Sequence, residues 1–307
     1  MGFLMGRRRK IVTERLAEAK SGKKTFMLSI PTVLKPIKEE QPIPEKTSLY
    51  VPTELLISEK SGFVQSSFSP DVFITRNVPE VLKIIFKYGD IAKRYGENSL
   101  ENDPSRQQII IYTMVTCQEN LLWNQRSSPN KKGKKFIGDP RLQGRYAVGF
   151  GGHKTREDIV LSREELIFLR DLLPAIQDET GTMLGLKRGF FSEVEEEIGI
   201  LRENIQDLKL LGAFYDKRIE DPILPVQVGW VHTGIAAVLE VDPRTTNQLL
   251  FRSSEIAKAW WIPFGRVEEE LEKRQNDWIK GRGSKVETWT EIMIKEFWKD
   301  YISSAGV

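Results

Sequence analysis

One cysteine, Cys117, and two histidines, His153 and His232, are all that 307 residues offer of the side chains that usually bind soft or borderline metals. A single thiol excludes an intramolecular disulfide framework and any cysteine-rich zinc site. Two imidazoles argue against a multi-histidine centre. A bound metal would then be held mostly by carboxylates, which points to magnesium, manganese or calcium. No run approaches the ~18 consecutive apolar residues of a membrane span. The opening MGFLMGRRRK has no apolar core after its charges, so a secretory signal is not expected and cytoplasmic residence is. No GxGxxG follows a strand-like run and no GxxxxGK[ST] occurs, which removes support for dinucleotide oxidoreductases and P-loop NTPases. Internal repeats, heptads and low-complexity tracts are also missing.

What is present suits a folded body. Apolar residues make up 40% of the chain, with seven Trp and fifteen Phe, enough for a substantial core. The formal charge is +3, but residues 1–24 hold eight Lys/Arg against Glu14 and Glu18, leaving the rest slightly negative. This is a basic tail on a near-neutral body, so no specific nucleic-acid binding is expected. A mitochondrial-type or membrane-surface role for the tail stays open.

Along the chain, residues 25–48 carry four prolines among many lysines and glutamates and read as an extended lead-in. Val81, Ile84, Ile85 and Tyr88 have helical spacing, so a helix is predicted from Val78 to Gly96 with Asn77 as its cap. Ile109–Cys117 is β-branched enough for a central strand, with NLLWNQR as its partner. Ser127–Phe136 reads as a basic turn, and Arg145–Gly152 as a strand entering a glycine turn. Ser162 and Glu165 open a predicted helix that Pro174 limits. A second helix covers Leu186 to Ile198 and stops at Gly199. Strands follow at DLKLLGAFY, Pro225–Val241 and QLLF, then two helices from Trp260 and Glu287. In the last, Trp289, Met293 and Phe297 share one face, which reads as a docking stripe. The expectation is an α/β (α+β) fold, a mixed sheet between helices. Its parts are a basic extension (1–48), an addition on the core (49–104), a core domain (105–275) and a C-terminal helix (276–307).

GFFSEVEEEIGI, Gly189–Ile200, carries the chemistry. On a helix, Glu193, Glu196 and Glu197 share an arc of about 100°, beside an apolar stripe of Phe190, Val194 and Ile198. Like charges at these spacings near a helix C-terminus are unfavourable unless a cation offsets them. Gly151 and Gly152 follow a strand and would let a backbone carbonyl approach such a cation. An ordinary solvated acidic face is the plainer alternative.

Ser192–Ile200 resembles the second half of the Nudix box, Arg-Glu-U-x-Glu-Glu-x-Gly-U with U bulky and aliphatic, at eight of nine positions. Gly152, five residues and Asp158 resemble the first half, Gly-x5-Glu; counting from Gly151 places Glu157 there instead. Ser192 stands where the box has arginine, with Arg188 or Arg156 as substitutes. Between Asp158 and Ser192 lie 33 residues where the family has seven, an insertion of 26 occupying about 159–185. The chain thus looks like a divergent, MutT-like Nudix branch, the resemblance covering about 105–275.

The resemblance implies a Mg²⁺- or Mn²⁺-dependent hydrolase, with two or more ions in turnover, that opens a phosphoanhydride in a nucleoside diphosphate-linked or related organic diphosphate. It implies Glu196 and Glu197 as metal ligands, Glu193 as ligand or general base, a carbonyl of Gly151 or Gly152, and outer contacts from Glu157 or Asp158. Glu240, Glu255 and Glu268 are alternative bases. His153, His232, Arg126 and Trp123 are candidate substrate contacts, although core packing suits Trp123 better. Lys131, Lys132, Lys134 and Lys135 read as a solvated loop and Cys117 as buried and inert. A catalytically silent nucleotide-binding or interaction module is the competing reading. A homodimer is compatible with either.

Overall fold

The computed structural model describes residues 46–96, 98–128, 140–155, 158, 181–220, 222–245 and 255–305. All of them lie in one compact unit, Pro44–Val307. The predicted helix at 162–173, the lysine-rich loop, Glu157, Arg156 and QLLF lie outside the described residues.

Eleven strands among the described residues form one sheet. They are β1 (Thr47–Pro52), β2 (Val64–Gln65), β3 (Val72–Thr75), β4 (Asp90–Lys93), β5 (Arg106–Cys117) and β6 (Asn120–Arg126). Then come β7 (Tyr146–Ala147), β8 (Gly149–Phe150), β9 (Ile205–Asp216), β10 (His232–Val241) and β11 (Ile256–Pro263). The main path runs β11-β6-β5-β10-β9-β3-β2; β1 and β8 pair with β5, β4 with β1 and β7 with β6. β5 and β10 run parallel, and every other named pair is antiparallel, so the sheet is mixed.

β5 explains why the sheet has helices on both faces. Its side chains alternate, and both sets are apolar, which suits a strand covered on two sides. Ile109, Ile111 and Val115 enter one core with helix α1 (Val78–Tyr88) and with Phe190, Val194 and Ile198 of helix α2 (Gly181–Ile198). Ile110, Tyr112 and Met114 enter the other, with helix α3 (Val267–Ile279) and the C-terminal helix. That last helix runs Thr288–Ile292, passes through a π-helical turn at Met293–Trp298 and ends as Lys299–Ala305. Trp289 sets its ring edge-on to Phe214 at 4.8 Å, so the predicted stripe is core.

Three sequence boundaries move. α1 ends at Tyr88, where Gly89 N–H closes on Ile85 O at 2.8 Å, and Asp90–Lys93 instead pairs with β1. Trp260–Pro263 belong to β11 rather than a helix; the aromatic and branched run Ala-Trp-Trp-Ile suits a strand beside β6, and α3 starts only at Val267. Val228–Val231 form a 3₁₀ turn, so the strand expected from Pro225 begins at His232. No helix among the described residues is long and apolar enough to cross a membrane.

Candidate functional site

The segment Gly149–Lys154 runs antiparallel along β5. β8 pairs Phe150 with Thr113, Gly152 O accepts from Ile111 N–H at 3.3 Å, and His153 bridges Ile110. The approach is so close that a Cβ at Gly151 would sit 1.9 Å from Ile111 O, and one at Gly152 would sit 2.8 Å from a Glu193 carboxylate oxygen. At Gly151, against backbone, only glycine leaves that room; at Gly152 the neighbour is the movable end of a side chain.

α2 is anchored by Phe190, Val194 and Ile198, all fully buried. That anchoring turns the neighbouring edge toward the glycines, and Gly151 N–H donates to Glu197 Oε1 at 3.1 Å. Glu193, Glu196 and Glu197 line a cavity of about 650 Å³ together with Gly151 and Gly152. Glu197 is buried, and its Oε2 has no hydrogen-bond partner among the described residues. Burial, reinforced by the charges of Glu193 and Glu255 and opposed by Arg126, pushes its pKa up to about 8. Glu196 is exposed at the mouth and is also shifted upward, by desolvation and by Glu193.

Two cations orient this cluster, and neither is a box arginine. Lys154 Nζ pairs with Glu193 Oε1, both side chains being largely buried. Arg126 lies 3.7 Å from both Glu197 Oε2 and Glu255 Oε2, and donates from Nε to Glu287 Oε1 at 2.9 Å. Ser192 Oγ donates back to Arg188 O, and Arg188 donates to the Asp158 carbonyl. Of the two substitutes for the box arginine, Arg188 donates to Asp158 O at 2.9 Å and Arg156 lies outside the described residues. Lys154 was legible as the residue after Gly-Gly-His, but nothing local tied it to Glu193.

The remaining sequence candidates divide. Asp158 accepts from Thr155 N–H at 2.8 Å and from its hydroxyl at 3.0 Å, closing a turn whose first residue, Thr155, lines the cavity. Trp123 is fully buried in the second core. Of the later glutamates, Glu255 lines the cavity, with its pKa raised by burial, whereas Glu240 faces Thr116 and Asp207 in the sheet register and exposed Glu268 pairs with Lys299. Cys117 is buried, and burial raises its thiol pKa.

Both histidines line the same cavity. His153 Nε2 lies 2.9 Å from His232 Nε2, and Glu101 Oε1 lies 3.8 and 3.5 Å from them respectively. Composition argued against a multi-histidine centre, yet the fold gathers both imidazoles and a carboxylate that sequence reasoning missed. These three residues place their ligand atoms within 4.8 Å of one another, an arrangement able to hold a divalent cation. Despite its burial, Glu101 is kept well below the usual carboxylate range by His232, Arg94 and Arg141. His153 is shifted down by burial, which keeps it neutral.

No family model matches the chain. It is 22% identical over 246 residues to Protein YmaB of Bacillus subtilis (strain 168), a match spanning 80% of this chain and 94% of that protein. Among solved structures it is similar to Tm1382, at TM-score 0.42 and 17% identity over 73% of this chain and 89% of that one. It is also similar to a mutT/nudix family protein from Listeria innocua, at TM-score 0.33 and 18% identity over 65% and 94%. These are weak structural likenesses to Nudix and MutT folds.

Proposed function

We propose that the cavity hydrolyses a phosphoanhydride bond in a nucleoside diphosphate-linked or related organic diphosphate, with Mg²⁺ or Mn²⁺ held on the α2 edge. The observation that carries this reading is that Glu193, Glu196 and Glu197 line one cavity with a glycine pair, Gly151 donating its N–H to Glu197 and Gly152 lying against the Glu193 carboxylate.

The residues fit such a cation. Glu197 Oε2 is buried without a hydrogen-bond partner, with Arg126 no nearer than 3.7 Å, which leaves a position that a cation shared with two further glutamates would complete. Glu196 and Glu197 would be ligands, with Glu193 joining directly or through water. Because Gly152 O is already bonded to Ile111 N–H, Gly151 is the better placed carbonyl. When bound, the cation supplies charge neutralisation of the diphosphate and a lowered pKa for attacking water. Lys154 holds the rotamer of Glu193, and Arg126 holds Glu197 while remaining in reach of a phosphate oxygen. Glu255 lines the same cavity and can take a proton from water, as can Glu193.

The test is product release across nucleoside triphosphates, nucleotide sugars and dinucleoside polyphosphates in Mg²⁺ and Mn²⁺, beside the Glu196→Gln/Glu197→Gln double variant. Metal-dependent turnover lost in the variant is expected. Equal silence of both proteins, with nucleotide still binding, overturns hydrolysis in favour of a binding module.

A further inference from the structure

We infer that Glu101, His153 and His232 form a second, chemically distinct metal site that takes a borderline divalent transition ion such as Zn²⁺ or Co²⁺.

The site is assembled by sheet register. β10 runs parallel to β5 with His232 opposite Gln108, while His153 bridges Ile110 two residues further along the same strand. Two residues of β5 thus set both imidazoles side by side, and Glu101 arrives from the 3₁₀ turn Leu100–Asn102 just before β5. The three ligand–ligand separations are 2.9, 3.5 and 3.8 Å. Bonds of ~2.0–2.1 Å to a tetrahedral ion require edges of about 3.4 Å, which these values bracket.

The supporting contacts match those of a ligating set. His232 Nδ1 donates to Val228 O at 2.6 Å, the outer hydrogen bond a ligating imidazole commonly makes; its Nε2 meets His153 Nε2 at 2.9 Å and Glu101 Oε1 at 3.5 Å, and a bound ion would replace the proton held among them. Glu101 is held by Arg94 on Oε1 at 3.0 Å and by Arg141 on Oε2 at 2.7 Å. Ligating carboxylates commonly carry such partners.

Those arginines also decide which ion fits. Glu101's charge is already balanced, so a hard cation that depends on anionic oxygen gains little here. Attraction must come from the two imidazole nitrogens, which favour zinc, cobalt or nickel over magnesium or calcium. Two histidines and one carboxylate leave a coordination position open, and His153 and His232 both line the cavity. The glutamates of the α2 edge line that same cavity, so an oxygen of a bound phosphate would be able to take the open position. Only this last role rests on the proposed hydrolysis; the site itself does not.

The experiment uses the full chain, stripped with chelator and titrated with Co²⁺ alone. The expected result is one equivalent giving the intense visible absorption of nitrogen-ligated, four- or five-coordinate cobalt, displaced by Zn²⁺ but not by excess Mg²⁺. His153→Gln should weaken Co²⁺ binding by more than about 100-fold, beyond what loss of an outer partner costs. Glu197→Gln should keep the band. The chain has only two histidines, so ¹⁵N-histidine spectra of the wild type supply a readout that needs no variant: Zn²⁺ should shift both Nε2 resonances. Weak oxygen-only cobalt absorption, unmoved Nε2 resonances, or a band surviving in His153→Gln would each overturn the site. Mg²⁺-dependent turnover, measured separately, fails or succeeds independently of these spectra.

Discussion

Arg126 Nη1 stands 3.7 Å from Glu197 Oε2, tying the end of β6 to the carboxylate edge of α2. The same guanidinium reaches Glu255 and donates to Glu287, which also accepts from Tyr112 Oη at 3.0 Å. One buried cation therefore balances carboxylates from three parts of the chain. Replacing it with methionine, Arg126→Met, leaves them uncompensated and should destabilise the fold by about 3–5 kcal/mol at neutral pH. The loss should shrink at pH 5, because burial already raises the pKa of Glu255 and less charge is then left uncompensated. Urea unfolding at both pH values measures it; equal losses at both would refute the charge argument.

Glu197 gives a pH dependence of definite sign. Its folded pKa is raised to about 8 from an ordinary 4.5, so ionisation is disfavoured in the fold. Its favourable contribution is complete below about pH 4.5 and is lost as pH rises toward 8. Without divalent ions, wild type should lose at least about 1 kcal/mol relative to Glu197→Gln between pH 5 and 8. Parallel denaturation curves across that window would show the carboxylate to be better solvated than its burial indicates.

Lys154 and Glu193 are a largely buried pair beside the glycine loop. Lys154→Met should cost about 3–5 kcal/mol in metal-free protein, because Glu193 is left buried without its counter-charge. A cation on the α2 edge would replace that charge. Mn²⁺ should therefore raise the melting temperature more in the variant than in wild type, as scanning calorimetry would detect. A smaller rise would mean that Lys154 holds Glu193 for binding rather than competing for it.

The two glycines should respond differently to alanine. At Gly151 the added carbon meets backbone, Ile111 O, so Gly151→Ala must shift the strand and should destabilise strongly. At Gly152 it meets the end of a movable side chain, Glu193. Gly152→Ala should keep the fold, seen by circular dichroism, while weakening Mn²⁺ binding about tenfold or more. Equal stability loss in both variants would contradict this distinction.

The readable parts of this protein were those set by short spacings. Phe190, Val194 and Ile198 recur at helical intervals and are buried as that period requires, which also placed the three glutamates on one edge. Asn77 does accept from Glu80 N–H, and Gly199, at φ +73°, does follow the end of α2, because caps are local. Trp260 and Trp261 fit a helix stripe or a strand equally well, and only pairing with β6 makes them part of β11.

Composition and local order by themselves determined a mixed α/β body and a carboxylate-bearing helix behind a glycine turn. Tertiary structure alone decided which charges meet. Lys154 finds Glu193 across 39 positions, Arg126 finds Glu287 across 161, and the two histidines meet across 79. The last of these is closed by strand register, where a shift of one residue would send His153 or His232 to the opposite face of the sheet. A linear sequence records the side chains, but register is settled by the summed packing of two cores, and only that sum brings Glu101 to both imidazoles.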